Sequence, residues 1–290
     1  MKSITIKLYK MTKNFILIAT ILFGFSSYAY QTTQENTRVE TDGFTNKITL
    51  SSEIKWEKMN PARGDQSPLA GTIWGDRKAD VATGYIGKFK DGFSSPPHIH
   101  NVTYRAIVMN GLIHNDDLEA EKMWMPTGSF WTQPAGASHI TAAKGKATMA
   151  YIEIDQGPYL VKPVEESFQN KERPLNLDIS NVVWLDHTTT NWISGKSPAQ
   201  LSILWKNTQD IQGILIHLPE NYHGEILSDG DVFTGIVISG NIEYQMQGEN
   251  TTTQLDQGSS FSSTTRSSHI VSTSDEVLIY IRTNAKFMIL

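Results

Sequence analysis

From residue 52 onward the chain carries short runs in which apolar residues alternate with polar ones or stand together. Gly, Pro, Asn and Asp separate the runs, among which are TGYIGKF, RAIVMNGLIH, ATMAYIEI, GILIHL, TGIVISGNIEYQM and EVLIYIRT. Short runs between turn-forming residues are typical of β-strands. No window keeps the apolar period of about 3.6 residues long enough for a large helix. The pattern predicts an all-β protein built as an antiparallel sandwich or barrel.

A faint internal repeat relates the two halves of this region. The stretch between the halves, residues 156–179, is rich in Pro and charged residues and is typical of a linker. We therefore predict two tandem β-barrels over 52–155 and 180–287, with one larger sandwich as the alternative. The repeated positions are Trp56 with Trp184, Ser67-Pro68 with Ser197-Pro198, Trp74 with Trp205, His98 and His100 with His223 and Glu225, and His139 with His269.

The first 29 residues differ in kind from the rest. Four lysines precede the apolar run FILIATILFGF, and the small-residue site Ser27-Tyr28-Ala29 follows it. This order predicts a cleavable signal peptide over 1–29, with Met1 or Met11 as the start. An uncleaved membrane anchor is the alternative, although the apolar run is short for a span. Residues 30–51 are polar and are expected to form a flexible lead-in, so we predict a periplasmic or secreted protein without a stable membrane anchor.

Charge and cysteine content narrow the function. Removing residues 1–29 takes away four lysines and no acids, which leaves 21 basic residues against 30 acidic ones and a net charge of −9. Such a chain is a poor candidate for binding nucleic acid, because that binding depends on neutralising phosphates. The chain has no cysteine, so disulfides, thiolate ligands and catalytic thiols are excluded.

Three histidines form the candidate site. His98 and His100 are two residues apart, so on a strand both side chains leave the same face, and Tyr104 continues that phase. The turn-forming segment Pro134–Gly136 precedes a further strand that carries His139. Three imidazoles from two strands are enough to hold one divalent transition metal and leave coordination positions open. Fe²⁺ and Zn²⁺ are the preferred ions, and Mn²⁺, Ni²⁺ and Cu²⁺ also suit such ligands.

The spacing around these histidines resembles the cupin family, which is marked by G-x5-H-x-H-x3-4-E-x6-G and G-x5-P-x-G-x2-H-x3-N. Tyr104 stands where the family has Glu, and Ala143 where it has Asn. The segments PARGD, IWGD, SPPHIHNVTYR and MPTGSFWTQPAG are more specifically similar to ChrR-like bicupins, over roughly residues 52–285. The matching positions are Gly92, His98, His100 and Gly111 in the first motif, and Gly128, Pro134, Gly136 and His139 in the second.

The resemblance implies two jelly-roll barrels, of which the second has degenerate motifs. His98, His100 and His139 are expected to bind the metal, and Tyr104 to hydrogen-bond a metal-bound water or the substrate. Residues near the motifs could line an apolar pocket beside the metal, namely Trp131, Met109 and Val108. A second metal site is conceivable at His223, Glu225 and His269, although a barrel that has lost its site is the favoured interpretation. His114 is expected in a solvated loop.

The site resembles that of three-histidine cupin dioxygenases, which cleave carbon–carbon bonds in diketones and hydroxyketones. This resemblance implies an oxidoreductase that acts on a small keto or hydroxyketo compound. Two alternatives stay open. One is a metal-dependent cupin that binds or senses a small ligand, and the other is a redox-neutral zinc or manganese enzyme. The oligomeric state is also open, and a homodimer is among the candidates.

Overall fold

The computed structural model describes residues 46–290, and the predicted all-β fold is confirmed there. The signal peptide predicted over 1–29 and the lead-in up to residue 45 lie outside the described residues. Between 46 and 290 no helix is both long enough and apolar enough to cross a membrane. The helical segments of this part of the chain are short 3-10 turns at Ser51–Glu53, Pro61–Gln66, Val164–Glu166 and Ile179–Asn181.

Most strands between residues 46 and 290 are short, as the sequence pattern predicts. In chain order they are β1 (Lys47–Thr49), β2 (Trp56–Lys58), β3 (Leu69–Trp74), β4 (Thr83–Phe89), β5 (Ile99–His100), β6 (Tyr104–Asp116), β7 (Phe130–Gln133), β8 (Ile140–Ile154), β9 (Val161–Lys162), β10 (Leu175–Leu177), β11 (Gln200–Lys206), β12 (Gln212–Leu218), β13 (His223–Ser228), β14 (Phe233–Ser239), β15 (Ile242–Met246), β16 (Thr252–Leu255), β17 (Ser260–Ser263), β18 (Ser267–Ser272), β19 (Val277–Thr283) and β20 (Phe287–Ile289).

The first barrel is built on a seven-stranded antiparallel sheet in the order β10-β7-β6-β8-β4-β3-β2. The long strands β6 and β8 both change direction midway, at Gly111 and at residues 144–147, where their pairing shifts register. Gly111 has φ +76°, and a Cβ there would lie 2.4 Å from the Thr148 hydroxyl. Beyond this corner the two strands pair with each other and with residues 92–100, and so form the opposite wall of the barrel.

The second barrel combines a six-stranded sheet, β1-β17-β14-β19-β12-β11, with a five-stranded sheet, β16-β15-β18-β13-β20. Its interior is filled by apolar side chains, as burial of the alternate strand positions requires. Among the residues of this core are Leu201, Ile216, Phe233, Phe261 and Ile281.

Two short strands differ from the sequence prediction. Strand β1 lies in the predicted lead-in over 30–51, yet it pairs with β17 of the second barrel. Strand β10 lies in the predicted linker over 156–179, yet it pairs with β7 of the first barrel. Sheet edges have unpaired backbone groups, and nearby extended segments satisfy them. The lead-in is therefore structured at its described end, and the linker is part of the first barrel's surface.

The two large sheets also pack against each other. Their shared core joins Ile107, Met109 and Phe130 of the first sheet to Leu215 and Ile236 of the second. Buried apolar area of this kind is the main stabilising contribution to such an interface. The barrels are thus held together along one face of each.

A polar network lies within this interface around Glu153, which is 1% exposed. The carboxylate accepts hydrogen bonds from the Tyr151 hydroxyl at 3.0 Å and the Tyr280 hydroxyl at 2.8 Å. Each tyrosine oxygen accepts in turn from an indole, Trp74 in the first barrel at 3.0 Å and Trp205 in the second at 2.9 Å. The predicted repeat pairs these two tryptophans, and each makes the same contact in its own barrel.

Candidate metal centre

Backbone pairing brings His98 and His139 side by side. Each donates its backbone N–H to the carbonyl of the other, both at 3.0 Å, so the two residues form a hydrogen-bonded antiparallel pair. Side chains of such a pair project from the same face. The ring centroids lie 4.3 Å apart.

His100 joins them because it is two residues beyond His98 on the same strand. Its carbonyl accepts a hydrogen bond from Gly136 N–H at 2.9 Å, which ties the turn before His139 to the strand that carries the other two histidines. Gly136 has φ +77°, and a Cβ there would meet the Phe168 carbonyl oxygen at 2.4 Å. Glycine is therefore needed at this motif position both for its backbone conformation and for the close approach of Phe168.

The three imidazoles are oriented alike. Each has its Nδ1 within hydrogen-bond distance of a backbone carbonyl: His98 to Pro96 at 2.9 Å, His100 to Leu160 at 3.2 Å, and His139 to Ala137 at 3.2 Å. A carbonyl only accepts, so each Nδ1 carries the proton and each Nε2 presents a lone pair. One ligand nitrogen from each ring lies within 4.8 Å of the others.

This arrangement fits a metal ion. His98 Nε2 and His100 Nε2 are 3.1 Å apart although the carbonyls assign both protons to Nδ1, so two lone pairs face each other. A cation between such nitrogens removes the repulsion, and carbonyl-bound Nδ1–H groups are the usual support for metal-binding histidines. The donor set suits a divalent transition metal. His98, His100 and His139 are the residues that would hold it.

The electrostatics agree with a ligand role. Burial lowers the pKa of His98 and places the pKa of His100 well below its usual value. Burial, reinforced by His98, lowers the pKa of His139 to about 3. All three rings are therefore neutral at neutral pH, the state that coordinates metals.

Tyr104 contacts this group from inside the barrel. Its hydroxyl donates to Asn115 Oδ1 at 2.9 Å and lies 3.4 Å from His139 Nε2. Burial raises the pKa of Tyr104 to about 12, so the phenol keeps its proton at neutral pH. Tyr104 thus adds a neutral oxygen, rather than a negative charge, at the position where the cupin motif has Glu.

A second tyrosine, Tyr159, reaches the site from the predicted linker. Its hydroxyl lies 3.1 Å from His100 Nε2, and its ring stacks on that imidazole with centroids 4.4 Å apart. Pairing of β9 with β5 holds this segment in place. Sequence reasoning missed Tyr159, and the apolar triplet YLV inside an otherwise polar stretch was the available signal.

A cavity of about 820 Å³ opens beside the histidines. Trp131 lines it, as expected, together with Tyr85, Phe89, Phe93 and Ile152. Predominantly apolar walls around a few polar groups are typical of small-molecule sites.

The structure places the other two predicted pocket residues elsewhere. Val108 is fully buried in the interior of the first barrel and does not line the cavity. Met109 belongs to the core between the two barrels. Neighbouring strand residues point to opposite faces, so Met109 lies on the opposite face from Tyr104. His114, expected in a solvated loop, is instead buried at the end of β6, with its Nδ1 3.3 Å from the Met123 carbonyl.

The second metal site considered for the second barrel is not assembled. His269 faces inward opposite Ile226, whereas His223 and Glu225 lie one position out of phase and project from the other face of β13. Both nitrogens of His269 have partners, Tyr244 at 2.7 Å and Ser263 at 3.2 Å. The strand pairing makes Ile226 and Ser228 the counterparts of His98 and His100, and neither is a usual metal ligand. Within 46–290, the one group suited to a metal is His98, His100 and His139.

Replacing Tyr104 with Glu is expected to tighten Zn²⁺ binding, since the carboxylate adds a fourth, negatively charged ligand to three neutral ones. Tyr104→Phe is the matched control because it removes the hydroxyl without adding charge. Calorimetric titration with Zn²⁺ measures both variants. Equal affinity of Tyr104→Glu and the wild type would show that residue 104 does not face the ion.

Comparison with family models matches residues 47–290 to the family described as Domain of unknown function (DUF4437). Comparison with the curated proteins finds no match.

Among solved structures, a protein from Nostoc punctiforme described as a "putative dioxygenase" is similar at 15% identity, with 83% of each chain covered and a TM-score of 0.59. A mutant of oxalate decarboxylase from Bacillus subtilis shares 10% identity over 82% of this chain and 77% of its own, with a TM-score of 0.55. Salicylate 1,2-dioxygenase of Pseudoaminobacter salicylatoxidans shares 11% identity over 84% of this chain and 82% of its own, with a TM-score of 0.54. At these identities the likeness shows the fold, and it confirms the cupin architecture with two barrels.

Proposed function

The chain belongs to the DUF4437 family, and from that premise we propose a metal-binding bicupin that acts as a dioxygenase on a small keto or hydroxyketo compound. The observation that carries the proposal is the convergence of three neutral imidazole nitrogens from His98, His100 and His139 beside a large cavity. The dioxygenases among its structural neighbours agree with this assignment.

The absence of a carboxylate from the ligand group is the main argument for the substrate. Three neutral ligands leave the full charge of a divalent ion uncompensated, which favours a substrate that binds as an enolate through two oxygens. Bound iron would supply Lewis acidity toward that enolate and a place for O₂. Tyr104 does not change this balance of charge, because it stays protonated beside the histidines.

The protein's own groups orient and protect the substrate. Burial places the pKa of Tyr159 well above its usual value, so its hydroxyl keeps a proton that it can donate to an anionic oxygen beside His100. Trp131 and Ile152 close the wall of the cavity and exclude water from that side. Hydrogen bonds and charges act more strongly where water is excluded.

We also propose export to the periplasm or the medium, since residues 1–29 have the order of a signal peptide. The residues of the motif segments support a place among ChrR-like bicupins. We keep the limits 52–155 and 180–287 for the bodies of the two domains, with β10 as an edge strand of the first and β1 as an edge strand of the second.

Oxygen consumption tests the proposed reaction. The protein from residue 30 onward, loaded anaerobically with Fe²⁺, is mixed with 1,3-diketones and α-hydroxyketones in an oxygen electrode. We expect O₂ uptake matched by loss of one substrate, and none with Zn²⁺-loaded protein or with His139→Ala. Loss of substrate without O₂ uptake would favour the redox-neutral enzyme. Tight binding without turnover would favour a ligand-binding or sensing role.

A further inference from the structure

The cavity beside the histidines carries two arginines and no acidic residue among the residues that line it. Arg63 and Arg77 both belong to its wall. Arg63 lies in the segment PARGD and Arg77 directly follows IWGD, but neither arginine was predicted as a site residue. Their charges decide what the cavity can bind, because the other polar side chains that line it are neutral.

Arg63 is a positive charge without a carboxylate partner among the described residues. It lies in the 3-10 turn Pro61–Gln66, and its Nη2 donates to the Ser94 carbonyl at 3.3 Å. The guanidinium also lies over the Phe93 ring, 5.1 Å from its centroid. Both contacts hold the side chain in place without neutralising it, so the outer N–H groups stay available.

Arg63 is linked to the metal-binding strand through two consecutive serines. Ser94 accepts its hydrogen bond, and the hydroxyl of Ser95 lies 3.3 Å from His98 Nδ1. The Arg63 guanidinium therefore lies on the same wall of the cavity as His98. A ligand that reaches both must span the space in between.

Arg77 is the second cation of the cavity wall, and Glu57 partly neutralises it. It pairs with Glu57, and that carboxylate also binds Lys78 Nζ at 3.2 Å. The Arg77 side chain is only 11% exposed, yet its Nε–H is buried without a hydrogen-bond partner. Because no solvent reaches this nitrogen, a ligand in the cavity cannot pair with it either, and Arg63 is the cation left for an anionic ligand.

We propose that Arg63 binds a carboxylate of the substrate, which narrows the proposed keto or hydroxyketo compounds to those that carry one carboxylate on an apolar or aromatic body. We call this contact the carboxylate anchor. It rests on the proposed function only because it assumes that the substrate binds in the cavity beside the histidines. One uncompensated arginine matches a single negative charge better than a dianion. The walls formed by Tyr85, Phe89 and Phe93 suit an apolar body between the carboxylate and the histidines.

The test compares a carboxylate with a neutral analogue of the same shape. Binding of 2-naphthoate and 2-naphthamide is measured by calorimetry on metal-free and on Zn²⁺-loaded protein. We expect metal-free wild type to bind naphthoate about tenfold or more tightly than naphthamide, as a charge-assisted hydrogen bond implies. Arg63→Gln should remove this preference, and Arg63→Lys should keep part of it.

Arg266→Gln is the matched control, since that side chain is 81% exposed and faces Asp229 on the second barrel. It should leave both affinities unchanged. Unaltered circular dichroism of Arg63→Gln shows that the variant is folded. Equal binding of the two probes by the wild type, or full naphthoate affinity in Arg63→Gln, would overturn the inference.

The two metal states separate this inference from the proposed function. If naphthoate binds only to Zn²⁺-loaded protein and independently of Arg63, the metal takes the carboxylate, and the anchor is refuted while the metal site stands. If Arg63-dependent binding occurs in a protein that never retains metal, the anchor stands and the proposed function fails.

Discussion

Replacing His139 with Ala is expected to abolish metal retention and leave the β-structure in place. The change removes one of three ligands, and loss of even a supporting group commonly costs ten- to a hundred-fold in metal affinity, so we expect a loss of more than about 100-fold. The backbone pair between His98 and His139 needs no side chain, so alanine preserves the strand pairing. Zn²⁺ titration and far-ultraviolet circular dichroism measure the two properties.

His223→Ala is the control for that experiment. His223 is an exposed histidine on the outer face of β13, with its Nδ1 2.9 Å from the Ser272 hydroxyl. The His223→Ala variant should bind metal with the affinity of the wild type. Full metal content in His139→Ala would show that the ion is held elsewhere.

Replacing Glu153 with Ala is expected to lower the free energy of unfolding by about 3 kcal/mol, because it leaves two buried phenols without their acceptor. Burial raises the pKa of Glu153, although Arg282, 3.7 Å away, acts in the opposite direction. In Glu153→Ala, Arg282 would keep its ion pair with Asp155, whose Oδ1 lies 3.3 Å from Nη2. Glu153→Gln should cost about 1 kcal/mol, since an amide oxygen still accepts one hydroxyl.

Urea denaturation of the wild type, Glu153→Ala and Glu153→Gln tests this prediction. Glu119→Ala, which truncates an exposed acid, should leave the midpoint unchanged. If Glu153→Ala is as stable as the wild type, the polar network does not contribute to holding the barrels together. Two separate transitions in the variant would show that the network couples the barrels.

The strands and the histidine group could be predicted because they depend on local rules. The spacing of His98 and His100 fixes a common face, and the turn at Gly136 fixes the start of the strand that carries His139. Tyr159 could not be predicted, since its approach depends on pairing between β5 and β9, which are far apart in sequence. The pairing of β1 with β17 of the second barrel could not be predicted either, because these strands are also far apart in sequence.

The metal site considered at His223, Glu225 and His269 does not form, because His223 and Glu225 project from the opposite face of β13. The sequence repeat matches His223 to His98, but the residue that pairs with His269 in the structure is Ile226, three positions further along β13. An odd shift on a strand transfers every side chain to the other face. The repeat was therefore right about the fold and wrong about the ligands. Met109 follows the same rule, since one step from Val108 moves it from the barrel interior to the interface.

The metal content of the protein from residue 30 onward, purified anaerobically and measured by elemental analysis, tests the central claim most directly. The three converging nitrogens of His98, His100 and His139 predict about one divalent ion per chain, with iron expected for the proposed dioxygenase. Zinc or manganese at the same ratio would keep the site and change its chemistry. A protein that holds no metal after loading with any of these ions would contradict the account.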